Sequence, residues 1–326
     1  MTEIPAETLV TVFGGSGFLG RHVVRALARE GYRVRNAVRR PDLAGHLQPL
    51  GRVGQIHSVQ ANLRYPESVF DAVSGADAVI NLVGILFERG KQRFDAVHAE
   101  GAHLVAQAAA GQRARLVHVS ALGANSDSTA AYARAKAAGE AAVLGTIPDA
   151  IILRPSVIFG PEDHFFNRFA ALARLSPALP LIGRGGTKFQ PVFVGDVAQA
   201  VARAVGGRVP GGTIYELGGP EVKTFRELME YVLTVTERRR LLISVPFKLA
   251  KLKATFLQLL PTPLLTPDQV ELMRTHTIVS PSAEAEGRTF KAFGIEPAAL
   301  EAIVPSYLWR FRKSGQFRGR VANESR

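Results

Sequence analysis

Val10-Thr11-Val12-Phe13-Gly14-Gly15-Ser16-Gly17-Phe18-Leu19-Gly20 is the stretch that decides the fold. An apolar strand runs straight into a glycine turn. The turn opens a helix that begins Arg21-His22-Val23-Val24-Arg25-Ala26-Leu27. Gly14 and Gly15 let the chain reverse tightly. Gly17 lacks a Cβ, so a pyrophosphate can come close to the backbone, and Gly20 lets the new helix pack near the strand. Ser16, Phe18 and Leu19 share this turn, where the N–H groups and partial positive charge of the helix start face the phosphates. A G-x-G-x-x-G spacing alone is a weak signal, because glycine turns are common. The strand–turn–helix setting raises it to a dinucleotide fingerprint.

Outward from this turn, strands and helices alternate. Leu9–Phe13, Arg33–Val38, Ile56–Gln60, Ala78–Val83 and Arg115–Ser120 read as short apolar strands. Arg21–Glu30, Pro66–Val73, Phe94–Ala110 and Ala131–Leu144 read as the helices between and after them. Such a βαβα series predicts an α/β fold with a doubly wound parallel sheet covered on both faces. Ala150–Leu153 continues the strands, Phe165–Leu175 is helical, Phe189–Val194 is a later strand, and Asp196 is placed to cap a helix over Val197–Val205. Beyond Gly206 the character shifts, with a strand at Thr213–Leu217, a helix at Phe225–Thr236, a strand at Leu241–Val245 and a Leu-, Phe- and Lys-bearing helix at Phe247–Leu260. The expected division is a nucleotide-binding domain over 1–160, to which 189–206 returns, a smaller C-terminal α/β region over 161–305, and a basic aromatic tail over 306–326. That tail holds six Lys or Arg against one Glu, with Tyr307, Trp309, Phe311 and Phe317.

The 326 residues suffice for one large core, and at 47% hydrophobic residues the chain is globular. With no cysteine, disulfides, thiolate metal sites and a cysteine nucleophile are excluded. The apolar runs are too short to span a bilayer. Met1-Thr2-Glu3-Ile4-Pro5 has no secretory or transit character, so the chain is expected to be soluble, in the bacterial cytoplasm or already processed. A net charge of +12 points to an acidic partner or an anionic membrane surface, the plain alternative being a solvated basic face. No nucleic-acid-binding signature accompanies it. The eight histidines form no metal-ligand spacing, so no metal is expected.

The end of the second strand selects the cofactor. NAD-preferring sites place a carboxylate there to hold the ribose 2′-hydroxyl. Here the chain reads Ala37-Val38-Arg39-Arg40-Pro41. Guanidinium groups at Arg39 and Arg40 suit a 2′-phosphate, so the reading is NADP(H). Asn62 and Leu63, after the third strand, are placed to line the adenine. Val83 and Gly84, after the fourth, let the cofactor cross the sheet edge. Tyr132-Ala133-Arg134-Ala135-Lys136 sets a phenol and an ammonium four residues apart on one helical face. Such a lysine lowers the phenol's pKa and can hold the nicotinamide ribose, which suits a tyrosine acting as general acid or base.

Together these motifs, with Asn81-Leu82-Val83-Gly84 and Val119-Ser120, resemble an extended or atypical short-chain dehydrogenase/reductase. The middle narrows the likeness. Ile151-Ile152-Leu153-Arg154-Pro155-Ser156-Val157-Ile158-Phe159-Gly160-Pro161-Glu162-Asp163 runs into Phe166-Asn167-Arg168-Phe169. Gln190-Pro191-Val192-Phe193-Val194-Gly195-Asp196-Val197 and Thr266-Pro267-Asp268-Gln269-Val270 follow. The series resembles the NADPH-binding accessory subunits of respiratory complex I and their alphaproteobacterial relatives, from about Val10 to beyond Ile295. That resemblance implies a Rossmann-type fold with a smaller C-terminal region. It also implies NADPH held without known turnover, and docking beside the quinone-binding module on the cytoplasmic side of a bacterial inner membrane (the matrix side in a mitochondrion). Carried over by position, Gly14, Gly17 and Gly20 contact the pyrophosphate and Arg39 the 2′-phosphate. Ser120, Tyr132, Lys136 and the Pro155-Ser156-Val157 segment lie along the nicotinamide half.

One departure bears on mechanism. Catalytic members carry Ser or Thr just past the fifth strand to bind the substrate carbonyl, and that place falls on Leu122, which cannot hydrogen-bond a carbonyl through its side chain. Ser126 or Ser128 could substitute only if the loop folds back. Tyr132 and Lys136 are therefore expected to hold a cofactor, as vestigial catalytic groups. The rival readings are a free NADP-dependent reductase or epimerase on a sugar or quinone-like compound, and a nucleotide-sensing regulator. His118 reads as a satisfied core histidine, and Asp163 and His164 as packing or capping residues. Phe247–Leu260 reads as a partner-docking helix, since its lysines fall on no single face.

Overall fold

The computed structural model describes residues 6–260 and 263–314. Among the described residues thirteen strands form: β1 Leu9–Phe13, β2 Arg33–Val38, β3 Ile56–Gln60, β4 Ala78–Asn81, β5 Arg115–Val119, β6 Ile151–Pro155, β7 Ile158–Phe159, β8 Ala178–Ile182, β9 Lys188–Phe189, β10 Val192–Phe193, β11 Thr213–Leu217, β12 Lys223–Thr224 and β13 Leu241–Val245. The helices that matter here are α1 Phe18–Arg29, α2 Pro66–Val73, α3 Gly101–Gly111, α4 Ala131–Thr146, α5 Phe166–Leu175, α6 Val194–Val205, α7 Phe225–Val235, α8 Phe247–Leu257 and α9 Pro267–Leu272.

The chain divides into two compact units. The first takes the described residues up to Pro155, Val194–Leu217 and Val279–Glu296. Seven strands form its sheet in the order β11-β6-β5-β4-β1-β2-β3, every pair parallel. Strand order reverses between β4 and β1, which is where open α/β sheets bind ligands. Alternation along β1 sends Phe13 toward a core of small side chains from α2, α3 and α4, among them Val69, Val73, Ala102, Val105, Ala106 and Val143. Small residues let these helices approach the sheet closely. Val10 and Val12 are fully buried on the opposite side, where α1 packs against α6.

Several elements depart from the sequence reading for local reasons. The helix expected over Phe94–Ala110 begins as a π-helical turn, Asp95–Glu100, which runs into α3. The strand expected over Ala78–Val83 stops at Asn81, whose Oδ1 accepts the Val83 N–H at 3.1 Å. A single strand at Phe189–Val194 is replaced by β9 and β10, split at Gln190-Pro191, because proline cannot donate to a ladder. Helix α6 starts at Val194, so Asp196 lies inside its first turn and is not the N-cap, a position that still favours an anion beside the helix dipole. Thr213–Leu217 belongs to the main sheet, with Tyr215 opposite Leu153. The returning segment thus extends to Leu217, against the expected 206, and the first unit closes at Pro155, against the expected 160.

The second unit takes Ser156–Phe193, the described residues of Gly218–Ile278, and those from Pro297. Its strands pair as β8–β13, β7–β10 and β9–β12. Phe159, Phe166, Phe189 and Phe225 form its core with Leu179, Leu181, Leu228 and Met229. Asp163 does cap and pack. Its Oδ1 accepts the Phe166 N–H at 2.6 Å, and its Oδ2 accepts the Tyr307 hydroxyl at 2.6 Å. Tyr307 is therefore a core residue rather than part of a basic aromatic tail. Trp309 and Phe311 form a short helical turn beside it, and Phe317 lies outside the described residues.

Candidate nucleotide site

The glycine turn lies at the carboxyl end of β1. Gly14 adopts φ +81°, and a Cβ there would stand 3.3 Å from Leu82 C and Val83 N. A side chain would thus press on the chain leaving β4. Gly15 faces Asn36, whose Oδ1 would lie 2.2 Å from an added Cβ. Gly20 is the most confined of these, since its Cβ would stand 2.2 Å from Gly14 O and 2.6 Å from Gly15 C. It packs the helix against the turn itself, more than against the strand. Gly17 differs. Its Cβ would meet only Gly14 O, at 3.2 Å. It occupies the N-cap of α1, offers no side chain to cap the helix, and is followed by a first turn without an acidic residue. Ser16, Phe18 and Leu19 therefore border a helix N-terminus with nothing negative of its own, the setting in which backbone N–H groups bind a phosphate. That fits a dinucleotide's pyrophosphate.

At the end of β2 the two arginines separate. Arg40 grips Asp42 through two hydrogen bonds, at 3.0 and 2.7 Å. This pairing holds the Asp42 carboxyl below the usual carboxylate range. Arg39 is exposed and makes no ion pair among the described residues. A carboxylate is thus present near the strand end, which the sequence reading missed, but Arg40 neutralises it. Arg39 remains available for a 2′-phosphate. Asn62 uses its Oδ1 to accept the Arg64 N–H at 3.2 Å, shaping the turn before α2. Leu63 packs on the start of α3, 2.8 Å from where a Gly101 Cβ would stand.

Beyond β4 and β5 the structure gathers Gly84, Phe94, His98, Tyr132 and Lys136. A Cβ on Gly84 would lie 3.6 Å from His98 Nε2 and 3.7 Å from Lys136 Nζ. The Tyr132 ring meets Phe94 and His98 edge-on, with centroids 5.7 and 5.2 Å away. Lys136 Nζ stands 6.0 Å from the Tyr132 ring centroid and donates to Val119 O at 3.2 Å. His98 Nε2 accepts the Ile85 N–H at 3.0 Å, which pins the loop after Gly84 and leaves the proton of the neutral ring on Nδ1. Lys136 is buried, and burial lowers its ammonium to about 8, with Glu140 pulling it back upward. Glu140 is itself held by Arg154 at 2.8 and 2.5 Å, and Arg154 reaches Glu216 at 3.8 Å. Burial first, then Lys136, drives His98 down to about 2 and His118 to about 3. Both rings are neutral at pH 7.

His98 was missed by the sequence reading. It sits on the π-helical turn, a geometry that recurs at functional sites, and no sequence spacing links it to Tyr132. His118 is buried as expected, but neither ring nitrogen has a hydrogen-bond partner, so it is not a satisfied core histidine. Ser120 Oγ is likewise buried and unpartnered, an orphaned polar atom that suits a ligand's polar edge. Leu122 joins Val279 and Ala283 in an apolar cluster, and its alkyl side chain offers no hydrogen bond. Ser126 and Ser128 are tied locally, to Asp127 and to the Ala130 N–H. Pro155 closes β6, and its carbonyl accepts the Leu122 N–H at 3.0 Å. Ser156 and Val157 open the second unit. There Ser156 Oγ donates to Thr277 O at 2.8 Å and Val157 O accepts the Val192 N–H. Among the described residues no group of three or more His, Asp or Glu could hold a metal ion.

The chain matches the NAD dependent epimerase/dehydratase family over residues 10–218. It is 37% identical over 331 residues to the mitochondrial NADH dehydrogenase [ubiquinone] 1 alpha subcomplex subunit 9 of Arabidopsis thaliana, covering 97% of this chain and 81% of that protein. It is 32% identical to the mitochondrial NADH-ubiquinone oxidoreductase 40 kDa subunit of Neurospora crassa, over 94% and 80% of the two chains. A ceramide reductase of Caulobacter vibrioides is 37% identical over 179 residues, 55% of each chain. In fold it is similar to the Thermus thermophilus UDP-glucose 4-epimerase solved with NAD, at TM-score 0.68 and 21% identity, over 94% of this chain and all of that one. The chain therefore belongs to the NAD dependent epimerase/dehydratase family and to the family of the NADH dehydrogenase alpha subcomplex subunit 9 proteins.

Proposed function

We propose that this chain is an accessory subunit of a proton-pumping NADH:quinone oxidoreductase that holds NADP(H) without turning it over. It would sit near the quinone module, peripheral to the cytoplasmic face of a bacterial inner membrane, or the matrix face of a mitochondrial one. The observation that carries the holding role is Leu122. An alkyl side chain packed on Val279 and Ala283 stands where a carbonyl-binding hydroxyl is needed, while Tyr132 and Lys136 stay in place. Resemblance to the Arabidopsis and Neurospora subunits across almost the whole chain supports the assembly.

In this reading Gly14, Gly15 and Gly17 cradle the pyrophosphate, while Gly20 closes the helix onto the turn. Arg39 reads the 2′-phosphate, and Asn62 and Leu63 border the adenine. Val83, Gly84, Ser120, Tyr132 and Lys136 flank the nicotinamide and its ribose. The bound group supplies a hydride carrier, and the protein supplies its fixed position. Nucleotide extracted from the purified chain and identified by mass tests the role, with stoichiometric NADP(H) expected and an empty or NAD-filled site contradicting it.

A second reading is a lipid-class carbonyl reductase, favoured by the Caulobacter relative and by the retained Tyr132–Lys136 pair. Oxidation of NADPH by a ketone substrate, abolished in Tyr132→Phe, would select this reading over the first.

A further inference from the structure

Helix α8 presents a surface that the nucleotide site does not use. Its sequence is Phe-Lys-Leu-Ala-Lys-Leu-Lys-Ala-Thr-Phe-Leu, and residues 247–260 contain no acidic side chain. Only Ala250 and Ala254 are buried, packed with Ile182 and Val270. The Arg274 guanidinium lies over the Phe247 ring, 4.4 Å from its centroid, and Lys251 bonds Glu271 of α9 at 2.9 Å. One side of the helix is thus fixed to the second unit through small residues and an ion pair.

The other side is apolar and open. Leu249, Leu252 and Phe256 are 44%, 58% and 67% exposed, and Leu259 and Leu260 in the next turn are 79% and 43% exposed. At about 100° per residue Leu249, Leu252 and Phe256 fall on one arc roughly 60° wide, facing away from Ala250 and Ala254, and Leu259 and Leu260 carry the exposed apolar run past the helix end. Lys248 borders this arc on one side and Lys253 on the other, while Lys251 is turned toward Glu271. The three lysines thus share no single face, as the sequence reads, and Lys248 and Lys253 take opposite sides of the apolar arc. They flank an apolar stripe, which lets their stems lie along it while the ammonium groups reach outward.

We propose that α8 lies in the plane of an anionic bilayer surface, with its leucines and Phe256 among the acyl chains and Lys248 and Lys253 at headgroup phosphates. Charge complementarity favours this occupant. The charged residues of 247–260 are all lysines, the chain as a whole carries +12, and an anionic bilayer offers apolar depth beneath a negative rim. Eleven residues are too short to span, and among the described residues no helix is long and apolar enough to cross a membrane. The placement deepens the reading of the chain as a membrane-peripheral subunit and rests on it.

Flotation of the full chain with phosphatidylcholine vesicles, with and without phosphatidylglycerol, tests it. Binding should require the anionic lipid and weaken with salt. Lys248→Gln with Lys253→Gln should lower partitioning about 25-fold, roughly fivefold per lysine. Leu252→Gln with Phe256→Gln should lower it at least about tenfold. All four positions are exposed, so both double variants should keep the wild-type melting temperature. A chain that stays behind with anionic vesicles, or double variants that float like wild type, would overturn the proposal and leave the stripe to a protein partner. Vesicle binding without copurification with the oxidoreductase would instead sink the assembly reading alone.

Discussion

Replacing Lys136 by methionine should make the protein more stable and useless for nucleotide. Burial holds the Lys136 ammonium at about 8 against an ordinary 10.5. At about 1.36 kcal/mol per pH unit, keeping that proton costs the fold roughly 3 kcal/mol. The unfolded lysine takes its proton below 10.5 and the folded one only below about 8. The penalty is therefore complete below pH 8, shrinks between 8 and 10.5, and is absent above. Methionine keeps the length of the side chain and removes the charge. It also removes the hydrogen bond to Val119 O, a loss of about 1 kcal/mol. The net gain near pH 7 is about 2 kcal/mol, or roughly 3 °C in melting temperature for a chain of this size. Thermal unfolding of both proteins without nucleotide, at pH 7 and again near 10.5, reads it directly. The advantage should vanish at the higher pH, and NADPH binding should be lost at both. A Lys136→Met protein that melts below wild type at pH 7 would rule this out, because it would mean the fold compensates the charge.

Four further outcomes follow from the same site. His98 and His118 refuse protons that their unfolded counterparts accept below about 6.5, so stability is complete above that pH and falls toward 3. At pH 5 each should cost about 2 kcal/mol in chemical denaturation, and His118→Leu should remove about half of this acid sensitivity. Gly17→Ala should fold, since its Cβ meets only Gly14 O at 3.2 Å, yet bind NADPH at least about tenfold more weakly by titration calorimetry. Gly20→Ala should instead lose stability, by about 1–3 kcal/mol, from contacts at 2.2 and 2.6 Å. Arg39→Glu should weaken NADPH binding much more than NADH binding, and equal losses would mean that Arg39 does not read the 2′-phosphate.

The first half of the fold was legible because its signals are local. Apolar strands of β-branched residues, a glycine turn and small-residue helices each announce themselves within a dozen positions, and β1, β2 and β3 fall where the residues place them. β11 also falls where the residues place it, at Thr213–Leu217, but its place beside β6 was not legible, because a five-residue strand says nothing of its partner. At the site, Tyr132 and Lys136 share one helical turn and were visible together. His98 was not, since it reaches Tyr132 through the fold, and the π-helical turn that presents it has no residue signature. Asp42 escaped for another reason. It lies two residues beyond Arg40 in a proline turn, and only coordinates show the arginine folded onto it. Tyr307 was read as tail because its neighbours are basic, whereas the Asp163 carboxylate and the aromatic core draw it inward.

The most direct test is purification of the chain at native abundance from detergent-solubilised membranes, with the bound nucleotide extracted and weighed. The chain should travel with NADH:quinone oxidoreductase activity and carry about one NADP(H) each. A chain that elutes alone, or travels with the activity while carrying no nucleotide, would contradict it.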